Sequence, residues 1–584
     1  QDNFRSAVVA ALEFEQKLNF ITEGLRFKAL ASFKNWSSTT NSASAGWNKY
    51  HLQDFSVDDN GVYSFVTRLQ NESGGEVSTD LKPGVANSGD RRFYFQAIMD
   101  YNRTFGKHDV NAMFIYNQDE LVTQLFSGDL IAALPKRKQG VAARLSYAYD
   151  GKYLAEVNMG YNGSENFAKG HRWGFFPSIA VGYNISEEAF FEPLKNVFSN
   201  MKIRASWGLV GNDNIGGARF VYMPTINLTG TGYTTGLDGD ITYKGPVYSR
   251  YGNPEVTWEV GKKVNVGLDL QLFNSLNLTM DYFHETRTDI FQERGTIPQY
   301  LGTAGTKVFG NLAAMKNQGF DFAADFNKKI GKDWFISFKG TFTYAHNEIT
   351  KYDESPKYAF QSKVGQSANI PSIMISDGLF KDPDDVKNSN QQIGGNLSAG
   401  DIKYVNISKL YGYDDDIVDI SDWVWAKNPT VPEIVYGFGP SIRWKNLDFS
   451  FFFQGVAKVS LVMSDFHPFG DNSLRNVLTW IADDRWSPDN QNINATYPRL
   501  TRDTSVNNTQ RSDYWLRNAA FIKLKNAEIG YTYKNMRFYV SGMNLATFSP
   551  FKHWDPEQGG GNGLKYPTQR VFNFGFQMTI NNNR

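Results

Sequence analysis

Residues able to do covalent chemistry are few and scattered. Seven His are spread along 584 residues, and there is no Cys. The missing Cys removes thiol nucleophiles, disulfides and Cys-ligated metals together, and fits an oxidising envelope compartment. No His-Glu-x-x-His pair, Walker A loop or Gly-x-Ser-x-Gly elbow occurs. The run Gly559–Gly563 lacks the strand-then-helix setting of a phosphate cradle. What the chain offers instead is aromatic contact. Trp36, Trp47, Trp173, Trp423, Trp425, Trp480, Trp486, Trp515 and Trp554 lie in loops or at expected strand ends. Most of them suit an interfacial girdle or packing within loops. The other use of a Trp is to stack on the apolar face of a ligand. Trp423 and Trp425, two positions apart in a long loop, are the candidates for that use. No catalytic residue, metal or cofactor is assigned, so the chain is not expected to be an enzyme.

Strands must position these loops, because the apolar residues alternate. Successive side chains of a strand point to opposite faces. Val264, Val266, Leu268, Leu270 and Leu272 share one parity against Lys263, Asn265, Asp269 and Gln271. Past a Phe273-Asn274-Ser275 turn, Leu276, Leu278, Met280 and Tyr282 oppose Asn277, Thr279 and Asp281. The same pattern recurs from Leu25–Phe33 and Phe93–Tyr101 through Gly319–Asn327 to Val571–Ile580. Asp150-Gly151 is a strong hairpin turn signal.

Aromatics are 15% of the chain, yet its mean hydropathy is only −0.44. That combination suits strands apolar on one face only. Alternating runs of about 9–11 residues are long enough to cross a bilayer when tilted. Connections alternate between tight (Asp150-Gly151, Lys445-Asn446, Lys534-Asn535) and long (Asn35 to Asp90, Thr350 to Pro432, Ala457 to Tyr514). A propeller would repeat one blade length, and a soluble sandwich has no need of such asymmetry. The expected fold is therefore all-β, a transmembrane antiparallel β-barrel with long extracellular loops and short periplasmic turns. Lysine plus arginine and aspartate plus glutamate number 60 each, which gives no argument for nucleic acid.

About 17 strands are countable, an odd number, whereas bacterial single-chain barrels have even counts. Barrels that carry a plug have 22 strands. Residues 1–584 are thus expected to be the C-terminal part of a larger barrel, with the plug and first strands outside this sequence. No signal peptide opens the chain at Gln1.

Several segments resemble one family. The text from Gly163-Ser164-Glu165-Asn166-Phe167 through Arg172-Trp173-Gly174-Phe175-Phe176-Pro177 is similar to the barrel of SusC-like (RagA-like) TonB-dependent outer-membrane transporters. So, in order, are Met201–Gly208, Asn253-Pro254, Gly267-Leu268-Asp269, Asn317–Asp321, Gly400–Tyr404, Arg485–Pro488, Leu524-Lys525-Asn526, Asn544-Leu545 and Asp555-Pro556-Glu557. The resemblance implies an importer of oligosaccharides or peptides in the cell outer membrane. It also implies a SusD-like surface lipoprotein as lid, TonB acting through a plug absent from this chain, and dimers of transporter–lipoprotein pairs. The rivals are a passive outer-membrane pore and a structural or secretion-associated barrel. One departure concerns an acidic loop that could bind Ca²⁺ in many relatives. Here Asp414–Asp422 lacks the Asp-Gly core and the ligand spacing of such a loop. It is expected to be a solvated acidic run.

Overall fold

The computed structural model describes all residues except 1, 70–78, 124–130, 132–133, 217, 299, 301–304, 414, 465–476, 502–504 and 581–584. Seventeen strands form one antiparallel sheet that follows the chain order. They begin with β1 (Asp2–Lys17), β2 (Leu25–Ser44), β3 (Lys82–Phe105), β4 (His108–Thr123), β5 (Lys136–Tyr149) and β6 (Tyr153–Ser164). Next come β7 (Trp173–Asn184), β8 (Phe198–Asn212), β9 (Glu259–Leu272), β10 (Leu276–Glu293), β11 (Phe309–Ile330) and β12 (Trp334–Lys351). The last are β13 (Ile434–Trp444), β14 (Leu447–Ala457), β15 (Phe521–Tyr533), β16 (Met536–Phe548) and β17 (Val571–Met578). Among the described residues β1 pairs only with β2, and β17 only with β16. No helix is long and apolar enough to cross a membrane.

Turn chemistry at the tight ends is set by backbone sign. Asp150 and Gly151 have φ of 54° and 67°, and Phe273 and Asn274 of 52° and 51°. Two successive left-handed residues match the twist of the flanking strands, so each hairpin turns within three residues, 150–152 and 273–275. A bulge breaks the register between β15 and β16, where Leu524 faces Ala546 but Asn526 faces Met543. The extra residues there include Asn544, whose φ of 54° an Asn tolerates better than most side chains. Two of the recognisable sequence segments therefore meet at one irregularity.

The two faces of the wall differ as the parity requires. Val266, Tyr282 and Phe574 of the apolar set are 47%, 50% and 84% exposed, which only a lipid surround makes favourable. The opposite face carries paired charges. Arg204 Nη2 lies 2.7 Å from Asp281 Oδ2, and its Nε lies 3.1 Å from Asp269 Oδ2. Arg26 bonds Asp100 in the same way, and Arg537 bridges Asp448 and Glu528. These half-exposed pairs add little stability, but they keep the interior polar and wet.

Several strands outrun the alternating pattern. β2 continues to Ser44 and β3 starts at Lys82, inside what the sequence suggests is one long loop, and β11 starts at Phe309 rather than near Gly319. At 24 residues, β3 spans roughly 80 Å, more than twice a hydrocarbon core. Beyond the lipid both faces meet water, so pairing continues without any need for alternation.

The largest buried apolar cluster sits in the loops rather than the wall. Connections 352–433, 458–520 and 549–570 all leave the same rim. They bring Ile402, Tyr404, Leu461, Trp486, Tyr497 and Phe551 together, each at most 6% exposed. A smaller cluster of Phe167, Val221, Val256 and Trp258 joins two neighbouring loops.

Candidate ligand-binding site

Segment 400–404 is the anchor of this loop layer. Gly400 has φ +86°, and a Cβ there would lie 2.3 Å from the ring of Trp486. The glycine thus lets the indole lie flat against the backbone. Asp401 is 1% exposed. It accepts two bonds from Arg499, at 2.7 and 3.0 Å, one from Asn508 Nδ2 at 2.8 Å and one from the Ser398 N–H at 2.8 Å. Asn507 and Asn508 bracket Ile402 through its carbonyl and its N–H. Asp401, Arg499 and Asn508 are thereby paired, as a low-dielectric setting demands, while the buried Asn507 Oδ1 has no partner among the described residues.

The acidic run is folded into the same layer. Asp422 is fully buried and accepts from the N–H groups of Ser408 (2.8 Å) and Asp419 (2.9 Å), while Asp419 accepts from Ser421 N–H (2.6 Å). That is a capping box around a single helical turn, Ile420–Asp422. The expectation of a solvated run suits Asp416, which is exposed and pairs with Lys409 at 2.7 Å. It fails for Asp422, because backbone donors replace the water it gives up. Asp414 lies outside the described residues. No group of acidic or His side chains placed to hold a metal occurs among the described residues.

The capped turn leads straight into the two candidate Trp residues, and it separates them. Trp425 pairs with Ser372 across a two-residue ladder, and its Nε1 donates to the Ser362 carbonyl at 2.9 Å. Its polar atom is spent on structure. Trp423 packs against the apolar cluster, but its buried Nε1 has no acceptor among the described residues. It lines a recess of about 720 Å³ together with Asn369, Pro371, Thr430, Met463 and Arg511. This recess shares Thr430 and Val462 with a second one of about 480 Å³, which reaches Gln454 and Val456 on the inward face of β14. The pair of recesses therefore opens towards the barrel interior.

The other Trp residues divide by height. Trp480, Trp486, Trp515 and Trp554 belong to the loop cluster. Trp173 stacks on Tyr161 at the wall, ring centres 4.8 Å apart. Burial raises the pKa of the Tyr404, Tyr497 and Tyr514 hydroxyls and lowers that of Arg517. His553, stacked on Trp480 with ring centres 4.7 Å apart, is held below its ordinary value by burial and then by the charge of Arg517. Sequence reasoning missed Arg511, which belongs to no motif. It also missed the Asp401–Arg499 node, whose partners lie 98 residues apart.

The chain resembles known proteins over nearly its whole length. Residues 12–545 match the family model described as TonB dependent receptor-like, beta-barrel. TonB-dependent receptor P3 of Formosa agariphila is 25% identical over 99% of this chain and 58% of its own length. TonB-dependent receptor SusC of Bacteroides thetaiotaomicron is 27% identical over 74% of this chain and 43% of its own. Among solved structures, the RagAB peptide transporter superposes with a TM-score of 0.69 at 20% identity, covering 99% of this chain and 62% of that one. The chain thus spans about three fifths or less of the length of these relatives. A lipid-facing apolar parity, a charged interior and a folded loop layer on one rim agree with that match: the chain belongs to the TonB-dependent receptor β-barrel family, as an outer-membrane barrel of the SusC-like and RagA-like kind.

Proposed function

We infer that this protein supplies the barrel of a TonB-dependent importer, which takes up oligosaccharides or peptides together with a SusD-like surface lipoprotein. The observation that carries the reading is the structured loop layer, whose recesses open onto a polar interior. A passive pore has no use for such a folded roof. Membership of the receptor family, the SusC relative and the fold shared with the RagAB peptide transporter support the same reading.

In this reading residues 1–584 belong to a barrel of about 22 strands, with the plug and the first strands outside this sequence. TonB acts through the plug, and the lipoprotein closes over the long loops as a lid. Two transporter–lipoprotein pairs form the assembly. The barrel binds and passes its cargo without covalent chemistry.

Deleting the gene tests the reading. Uptake of a labelled oligosaccharide or peptide should fall to background, should fall equally in a strain lacking TonB, and a surface lipoprotein should copurify with the tagged receptor. TonB-independent uptake, with steady ion conductance of the purified protein in planar bilayers, would establish a passive pore instead.

A further inference from the structure

Within the importer reading, on which this inference rests, the larger recess has its own chemistry. Among the described residues no Asp or Glu lines it, and the single cation is Arg511. The Arg511 backbone is fixed, its carbonyl accepting from Met374 N–H at 2.9 Å. Its neighbour Ser512 is buried, and Asp513 accepts from the N–H and hydroxyl of Ser376. The Arg511 side chain is nevertheless exposed and makes no ion pair or hydrogen bond among the described residues. The more buried cations of the loop layer are paired by contrast, such as Arg499 on Asp401 and Lys403 on Asp385. The carboxylate closest in sequence to the recess wall, Asp422, is turned away and saturated by backbone N–H groups.

The Trp423 indole lines the same recess and supplies apolar surface beside the guanidinium, its own Nε1 being buried. An indole and a guanidinium in one recess offer an apolar ring and a planar fork. The fork matches the two oxygens of a carboxylate. We propose that Trp423 and Arg511 form a subsite that reads a carboxylate on the transported oligomer, and so give the receptor a preference for acidic over neutral cargo. The carboxylate can come from a uronic acid or from an acidic side chain of a peptide.

The test uses the full receptor in detergent with two pairs of probes. Trigalacturonate is compared with its neutral methyl ester, and triglutamate with triglutamine, by calorimetry at low and at physiological salt. In one arm the acidic member should bind at least tenfold more tightly than its neutral partner, and the arm that shows this identifies the source. Arg511→Gln should abolish that preference, so that the acidic and the neutral member bind alike. Arg511→Lys should restore part of it, with a steeper loss in salt. Trp423→Ala should weaken the acidic and the neutral member alike, severalfold, because it removes the ring that both lie against. No preference in either arm, or a preference that survives Arg511→Gln, overturns the subsite. So does failure of all four probes to bind. Continued TonB-dependent uptake of a neutral nutrient in that case leaves the importer reading standing, whereas TonB-independent uptake removes the importer reading itself.

Discussion

Arg499 holds Asp401 with both arms of its guanidinium, Nε at 2.7 Å from Oδ1 and Nη2 at 3.0 Å from Oδ2. The two residues come from different long connections, so this one contact ties 352–433 to 458–520. Asp401→Ala leaves Arg499, Asn508 and the Ser398 N–H without their acceptor. Breaking a buried pair from one side costs roughly 3–5 kcal/mol. The loop layer of the variant should be nicked by protease within both connections. The wall should still run as a compact, heat-modifiable band on a denaturing gel.

Trp425 and Trp423 should respond in opposite ways to the same small change. Trp425→Phe loses the bond to the Ser362 carbonyl, which costs about 1 kcal/mol. Trp423→Phe removes an N–H that has no acceptor among the described residues, so stability should hold or rise slightly. Thermal melts followed by tryptophan fluorescence, paired with protease resistance of the loops, distinguish the two.

Gly319 tests the wall. A Cβ at this position would lie 1.9 Å from the Tyr344 carbonyl oxygen and 2.7 Å from the Phe283 ring. The first obstacle is backbone, which cannot swing aside. Gly319→Val should therefore block closure of the β10–β11–β12 region, seen as loss of the heat-modifiable band. Gly245→Ala is the matched control, since nothing lies within 4 Å of its added Cβ.

Acid should loosen the loop layer before the wall. His553 is packed against Trp480, Tyr497, Phe551 and Trp554. Burial and then Arg517 lower its pKa, with Asp484 opposing them. A depressed folded-state pKa means the unfolded loops bind the proton more readily. The contribution is therefore present above the ordinary value of 6.5 and is lost as pH falls below it. Protease sensitivity of 549–570 should rise between about pH 7 and pH 5. His553→Phe should flatten that profile, and an unchanged profile in this variant would rule the imidazole out as its source.

How far the sequence could be followed varied with the kind of contact. Wall strands were legible because lipid on one side and water on the other force a period of two, as in Val264–Leu272 and Phe572–Met578. Tight turns were legible at Asp150-Gly151 because few residues accept a positive φ. Strand ends such as Thr39–Ser44 were not, since above the membrane both faces are wet and alternation disappears. The Asp422 box had a readable signal in Asp419-x-x-Asp422, which an overall count of acidic residues hides. The recess could not be found at all. Trp423, Thr430, Met463 and Arg511 come from three separated segments, and no local spacing relates them.

Most of the firmly packed hydrophobic matter in this molecule sits above the cylinder. Cylinder and canopy consequently answer to different pressures, one to insertion into lipid and the other to packing in water. Side chains that line the canopy can therefore change one at a time while the cylinder beneath keeps its shape.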